Sequence, residues 1–174
     1  MSNWMLAAVL LLSAGALGQA QAAPGQTAKL NPALKPFVGT WRLISSVEAL
    51  PDGRSRPYGF GPHAQGYLMY DATGHMCAQV IDPDRPKWAD PEHPTPQEIK
   101  TSFEGFGGYC GTYTVDEKSH AAVHIPEVGL DPNDAGHPKP RDYRFEDGRL
   151  IYSGTEKLES GGESHWTMSW ERVK

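Results

Sequence analysis

The sequence predicts an all-β protein, an eight-stranded up-and-down antiparallel barrel. Three observations predict it: eight strand-like runs, short turn sequences between most consecutive runs, and a high content of turn-forming residues. The chain has 174 residues, of which 19 are Gly and 15 are Pro. This content of Gly and Pro is high for a helical protein and typical of short strands separated by turns. Eight strands are enough to close a small barrel.

The predicted strands are runs rich in aromatic and β-branched residues. They cover residues 40–48, 65–71, 74–81, 108–115, 119–125, 141–146, 149–155 and 164–172. Asp147-Gly148 predicts a two-residue type I′ turn, because this dipeptide accepts the positive φ angles that the turn needs. The turn pairs Phe145 with Leu150. In the same register Tyr143 faces Tyr152.

The hairpin of the second and third predicted strands has two faces that are hard to tell apart. A four-residue turn at 71–74 pairs Tyr70 with His75 and Leu68 with Cys77. Apolar and polar side chains then mix on both faces. We interpret this mixture as a barrel interior that carries polar groups.

The fourth and fifth predicted strands place aromatic residues and a histidine on one face. With a four-residue turn at 116–119, Gly111 faces His124, and Tyr109 and Tyr113 share their face. If this face points inward, glycine leaves space beside the imidazole, and a few polar groups lie in an apolar cavity, as in many small-molecule sites. The alternative is a hydrogen-bonded core histidine.

An insertion separates the third and fourth predicted strands. Residues 82–96 contain five prolines, which exclude a central strand. Thr95-Pro96-Gln97-Glu98 matches a capping box with proline at the first helical position and predicts a short helix to about Phe106. Its apolar face, Ile99, Phe103 and Phe106, either covers an open barrel end or packs on the sheet as an ordinary surface helix.

The first 36 residues precede the barrel. Residues 5–17 are apolar and lead to Ala20-Gln21-Ala22, a small-x-small cleavage pattern, so residues 1–22 are predicted to be a signal peptide. The apolar run is shorter than the roughly 20 residues of a membrane span, so no stable span is expected after cleavage. Residues 23–36 are predicted as a flexible linker, and residues 37–174 as one barrel domain.

A signal peptide predicts export to the periplasm or the cell exterior. Cys77 and Cys110 are the two cysteines of the chain, and an oxidising compartment permits them to pair. Pairing requires Cβ atoms about 4 Å apart on one side of the sheet, which leaves two alternatives open: a disulfide, or two small buried hydrophobic residues.

Charge and motifs exclude several classes of partner and site. The net charge is −5 and no basic run occurs, so nucleic acid is not an expected partner. Acidic loop residues near 82–93 and 131–137 lack the register of calcium or zinc ligands, and no metal or cofactor is predicted. Neither a Gly-x-Ser-x-Gly elbow nor a phosphate loop is present.

Five sequence blocks, taken in order, resemble bacterial lipocalin-like domain proteins, whose fold is a calycin-type barrel. The resemblance spans about 37–174, with residues 128–139 departing from the pattern. The blocks are Val38-Gly39-Thr40-Trp41-Arg42-Leu43, Gly66-Tyr67-Leu68-Met69-Tyr70 with Gly74-His75-Met76, Arg85-Pro86, Tyr109-Cys110-Gly111-Thr112-Tyr113, and Trp170-Glu171-Arg172.

The resemblance implies that Gly39, Trp41 and Arg172 form a closed barrel floor, with the arginine packed across the indole. It also implies a small apolar ligand, but no particular reaction. A guanidinium over an indole contributes roughly 0.5 to 2 kcal/mol.

Six residues are candidates for ligand binding, and none is assigned a catalytic role. They are His75, Tyr109, Tyr113, His124, Trp166 and Met168. The predicted function is binding of a small hydrophobic or amphipathic molecule inside the barrel. The alternatives are an isomerase or cyclase that uses His124 or His75 as acid or base, and a structural barrel with a filled core.

Overall fold

The computed structural model describes residues 31–174 and shows a closed antiparallel barrel. The predicted signal peptide, 1–22, lies outside the described residues, as does most of the predicted linker. The strands are β1 (Gly39–Ala49), β2 (Ser55–Pro57), β3 (Gln65–Tyr70), β4 (His75–Ile81), β5 (Phe106–Asp116), β6 (Ala121–Gly129), β7 (Lys139–Glu146), β8 (Arg149–Lys157) and β9 (Glu163–Arg172).

Eight of these strands form the barrel, which confirms the predicted architecture. From β3 to β9 each strand pairs with the next, and β1 closes the barrel by pairing with both β3 and β9. The short β2 is an addition that pairs only with the end of β1. One α-helix, α1 (Pro96–Glu104), occurs in the described part of the chain, between β4 and β5. None of the helices there is long and apolar enough to cross a membrane.

The β7–β8 hairpin has the predicted register. Asp147 and Gly148 have φ angles of 50° and 74°, as a type I′ turn requires. Phe145 pairs with Leu150, and Tyr143 with Tyr152. The local turn sequence was sufficient to predict this part of the barrel.

The predicted β3–β4 register was wrong by one residue. Tyr70 pairs with Met76 rather than His75, so five residues separate the paired positions, among them Gly74 at φ 92°. A one-residue slip moves every side chain of a strand to the other face. In the observed register Leu68, Tyr70, Met76, Ala78 and Val80 are all buried, so the mixing of apolar and polar side chains on both faces came from the wrong register.

The β5–β6 register was also wrong, although Tyr109, Tyr113 and His124 do share one face and that face points inward. His120 has a φ of 53° and belongs to the turn, so Tyr113 pairs with His124. Gly111 pairs with Pro126 instead, and a Cβ there would lie 2.0 Å from the Ile125 carbonyl oxygen. The glycine therefore allows close approach of the β6 backbone and leaves no space beside the imidazole.

Cys77 and Cys110 form a disulfide, which decides between the two alternatives. They lie directly opposite each other on β4 and β5, with Cα atoms 4.0 Å apart. The β4 register that carries Met76 and Ala78 inward directs Cys77 outward. The bridge therefore ties two neighbouring strands on the outside of the barrel.

One end of the barrel is closed by aromatic and cationic side chains. The Arg172 guanidinium lies 4.2 Å from the Trp41 ring centroid and donates to the carbonyl oxygens of Pro36 and Val38. A Cβ on Gly39 would meet Arg172 Nη1 at 2.5 Å. Packing starts before Phe37, since a 3₁₀ helix (Pro32–Leu34) within the predicted linker buries Leu34 in the core.

The capping box of α1 is present, but its apolar face is not buried. Thr95 Oγ1 accepts from the Glu98 backbone, and the Glu98 carboxylate accepts from Thr95 N at 2.7 Å. Ile99 and Phe103 are each 51 % exposed, and Phe106 begins β5. The face does not cover the barrel end, and it does not pack on the sheet. Phe106, which was predicted to belong to this face, instead follows the helix and is the first residue of β5.

Candidate functional site

A cavity of about 220 Å³ lies inside the barrel, toward the end opposite the Trp41–Arg172 floor. Tyr58 and Phe60, from the β2–β3 connection, and Asp134 are among its lining residues. An apolar cavity of about 150 Å³ holds benzene in an engineered protein, so this space suits a molecule of one or two rings. Its walls are mainly apolar and include Leu68, Ala78, Val80, Met168 and Trp170.

A hydrogen-bonded chain of five side chains runs along one side of the cavity. Arg141 Nη2 donates to the Tyr109 hydroxyl at 2.9 Å, and that hydroxyl lies 2.8 Å from His124 Nδ1. His124 Nε2 lies 2.7 Å from the Tyr70 hydroxyl, which lies 2.8 Å from the Tyr152 hydroxyl. The five residues come from five strands, β7, β5, β6, β3 and β8, so only the closed barrel assembles them.

Burial keeps the central groups of this chain uncharged. His124 is 1 % exposed, and burial, with the positive charge of Arg141 as a smaller cause, holds its pKa well below its usual value. Burial also raises the pKa of Tyr70, Tyr109 and Tyr152. At neutral pH the hydrogen-bonded chain therefore consists of one neutral imidazole between protonated phenols, with the guanidinium of Arg141 as the single cation at one end.

The three tyrosines and the histidine of this hydrogen-bonded chain have one more O–H or N–H proton than there are hydrogen bonds between them. Three tyrosines and a neutral histidine supply four protons, and three contacts link them. A neutral imidazole donates from one nitrogen and accepts at the other, so the bonds run in one direction. The remaining proton lies on the hydroxyl of Tyr152 or of Tyr109, depending on that direction. Both residues line the cavity.

Two further residues at the cavity, Arg141 and Trp170, have N–H groups without an acceptor. Arg141 donates to Tyr109 and to the Lys139 carbonyl oxygen, while the nearby Asp134 pairs with Lys139 at 2.7 Å. Within residues 31–174, Arg141 has no carboxylate partner. Trp170 also lines the cavity, and its buried indole N–H has no hydrogen-bond partner in that same part of the chain.

Three of the six predicted binding residues line the cavity, namely Tyr109, His124 and Met168. The others lie elsewhere. Tyr113 is buried near the floor, against Phe37, with its hydroxyl donating to the Asp71 carbonyl oxygen.

His75 and Trp166 also lie off the cavity. His75 points outward and its side chain is 62 % exposed, because the true β3–β4 register directs its neighbour Met76 inward instead. Trp166 is covered by the ring of Tyr58, whose centroid lies 5.3 Å away in a parallel stack.

Sequence reasoning missed Arg141, Tyr70 and Tyr152. A signal for two of them was available in the β7–β8 hairpin, where Tyr143 faces Tyr152 and Arg141 lies two residues before Tyr143 on the same face. An arginine on the face of a strand that also carries Tyr143 and Phe145 is unusual and points to a partner or ligand inside. No local pattern connects Tyr70 with the others.

Two aspartates of the acidic loops make local contacts with the backbone. Asp82 and Asp131 accept from the backbone N–H groups two residues ahead, at 2.9 and 2.8 Å. These are ordinary turn contacts of aspartate. Across residues 31–174 no three His, Cys, Asp or Glu side chains come together as a metal site would require.

Comparison with known proteins agrees with the barrel geometry. The family model of a lipocalin-like domain matches residues 38–173. No curated protein matches the chain. The matched region contains all nine strands, the closed floor and the cavity, and the chain therefore belongs to the lipocalin-like domain family.

Proposed function

We propose that this protein binds a small amphipathic molecule in the barrel cavity. The observation that carries the proposal is an open space of about 220 Å³ with apolar walls and a single polar cluster. Apolar walls supply affinity, and a few convergent polar groups fix orientation. The same cavity argues against a barrel with a filled core.

Burial of apolar ligand surface is expected to supply most of the affinity. Burying about 300 Å² of apolar ligand surface contributes roughly 7 kcal/mol before costs. Loss of ligand freedom subtracts from this value, and preorganised sites reduce the loss. Because the polar chain is already hydrogen-bonded, the site is preorganised, and affinity in the micromolar range is expected.

Filling the cavity tests the proposal. Ala78 lines the cavity and Gln79, the next residue of β4, is exposed on the outside. We expect native mass spectrometry of protein purified from its own host to show a bound small molecule for the wild type and Gln79→Phe, and none for Ala78→Phe. Repeated absence of bound molecules from folded wild-type protein, or their retention by Ala78→Phe, contradicts the proposal.

A second candidate function is acid–base catalysis of an isomerisation. It is favoured by His124, which lines the cavity and lies within hydrogen-bonding distance of Tyr109 and Tyr70. In such a reaction a proton leaves one carbon of the substrate, passes to the imidazole, and returns to another. The lowered pKa of His124 makes it a weak base, so binding is the first proposal.

Proton exchange distinguishes the two candidates. The co-purified molecule is incubated in D₂O with the wild type and with His124→Gln, and carbon-bound deuterium is measured by NMR. Catalysis predicts incorporation by the wild type that is lost in the variant. A carrier leaves the molecule unlabelled in both cases.

We further propose that the protein is exported. Support comes from the apolar run 5–17 with its cleavage pattern at 20–22, and from the Cys77–Cys110 disulfide, since such bonds persist in oxidising compartments. The intact mass of protein recovered from each cell fraction tests this. Export predicts a periplasmic or extracellular form that begins near Ala23, whereas an intact, cytoplasmic chain contradicts it.

A further inference from the structure

We propose that the ligand is a small organic anion, such as a ring carboxylate, whose oxygens are bound by Arg141. The inference rests on the proposed binding function and names the chemical class of the ligand. It comes from an excess of hydrogen-bond donors, and of positive charge, at the polar side of the cavity.

The donors at this site are groups with no acceptor of their own. Arg141 has five N–H groups, of which Tyr109 and the Lys139 carbonyl engage one nitrogen each. In the hydrogen-bonded chain of tyrosines and histidine, one hydroxyl proton, on Tyr109 or Tyr152, has no acceptor within the chain. A ligand that completes these bonds must supply acceptors.

The local charge favours an acceptor that is also negative. Asp134 is the acidic residue among those lining the cavity, and it is paired with Lys139 at 2.7 Å. Lys139 Nζ also lies 5.9 Å from the Tyr109 ring centroid. The opposite charges of Asp134 and Lys139 cancel each other. The positive charge of Arg141 remains uncompensated beside a largely apolar space.

Arginine suits a carboxylate better than it suits a neutral acceptor. Its planar fork forms two parallel bonds with carboxylate oxygens, and such charge-assisted bonds are roughly twice as strong as neutral ones. The half-buried position of Arg141 excludes part of the water that weakens exposed ion pairs. The apolar rings of an anion held at Arg141 would occupy the same cavity, whose walls include Leu68, Val80 and Met168.

A pair of probes of equal shape tests the inference. The probes are 2-naphthoate, which is anionic, and 2-naphthamide, which is neutral, with affinities measured by calorimetry. We expect the wild type to bind the naphthoate about tenfold more tightly or better, the advantage of a charge-assisted bond. Arg141→Gln removes this preference and retains binding of the amide. Arg144→Gln, an exposed position on the same strand that pairs with Glu146, preserves the preference.

The outcomes separate failure of this inference from failure of the proposed function. Equal affinity of the wild type for both probes, or an unchanged preference in Arg141→Gln, overturns the anion inference and leaves small-molecule binding in place. If folded wild-type protein, verified by circular dichroism, binds neither probe, both proposals are contradicted. Loss of binding in Ala78→Phe, but not Gln79→Phe, shows that the probes occupy the cavity.

Discussion

The hydroxyl groups of Tyr70 and Tyr152 meet inside the barrel, with 2.8 Å between their oxygen atoms. Tyr70 comes from β3 and Tyr152 from β8, and the two residues are 82 positions apart in the chain. Tyr70 is bound on its other side by His124. Its hydroxyl therefore joins the two halves of the polar chain that borders the cavity.

We expect Tyr70→Phe to reduce the free energy of unfolding by roughly 1 to 3 kcal/mol, because it leaves buried polar atoms of His124 and Tyr152 without a partner. Urea denaturation measures the change. Tyr67→Phe is the matched control on the same strand, since Tyr67 is 49 % exposed and its loss of a hydroxyl is expected to change stability by less than about 0.5 kcal/mol. Equal effects of the two substitutions contradict the buried network.

Protonation of His124 is expected to destabilise the protein in mild acid. The pKa of His124 is lowered in the folded state, whereas the unfolded chain has a value near 6.5. Its neutral form therefore stabilises the fold above about pH 6.5. As the pH falls below that value the unfolded state binds a proton that the folded state does not, and stability decreases by about 1.4 kcal/mol per unit.

Urea denaturation between pH 7.5 and 5.5 measures this dependence. His124→Gln is expected to be less stable at pH 7.5 but to show a slope smaller by about 1.4 kcal/mol per unit below pH 6.5. Identical slopes for the wild type and the variant mean that His124 does not carry the effect. If the variant does not fold, NMR titration of the His124 imidazole in the wild type decides, and a midpoint at or above 6.5 contradicts the prediction.

Reduction of Cys77–Cys110 is expected to lower stability by roughly 3 to 4 kcal/mol in the loop-entropy description, because the bridge closes a sequence separation of 33 residues. Thermal unfolding with and without a reductant measures the loss. The double variant Cys77→Ser/Cys110→Ser should resemble the reduced protein and should not respond to reductant. A wild type with the same melting temperature in both conditions rules out a stabilising bridge.

Arg172→Lys is expected to reduce the free energy of unfolding by roughly 1 to 3 kcal/mol, although it preserves charge. Lysine retains a cation near Trp41 but cannot reach the carbonyl groups of Pro36 and Val38 together with a planar fork. Arg42→Lys is the control, because the Arg42–Glu171 pair is exposed and surface pairs contribute little. Denaturant unfolding compares the two, and equal losses contradict a special role for Arg172.

Local sequence was sufficient for the features whose causes are local. Asp147-Gly148 specifies its turn by the φ angles that these residues tolerate, and Thr95 with Glu98 specifies the start of α1 through the capping box. By contrast, the β3–β4 register depends on whether Asp71 to His75 make four or five turn residues. Both turns are compatible with the same residues, and burial of Met76, Ala78 and Val80 selects one of them.

The candidate site was predicted only in part for the same reason. Tyr109 and His124 lie on neighbouring strands, so alternation along each strand was enough to place them together. Tyr70 and Tyr152 reach His124 from more distant strands, at positions that closure of the barrel alone determines. Whether a space remains beside them depends on how all the inward side chains fill the interior, which no single strand specifies.

The sequence by itself therefore determined the number of barrel strands, the position of the helix in the chain and the register of the β7–β8 hairpin, because these follow from alternation and turn chemistry along the chain. Only the tertiary structure decided the Cys77–Cys110 bridge, the outward position of His75 and the chain from Arg141 to Tyr152. The outward position of His75 depends on which face of the β3–β4 hairpin is buried. The bridge and the polar chain depend on distances between residues far apart in sequence, and such distances are defined only when the barrel closes.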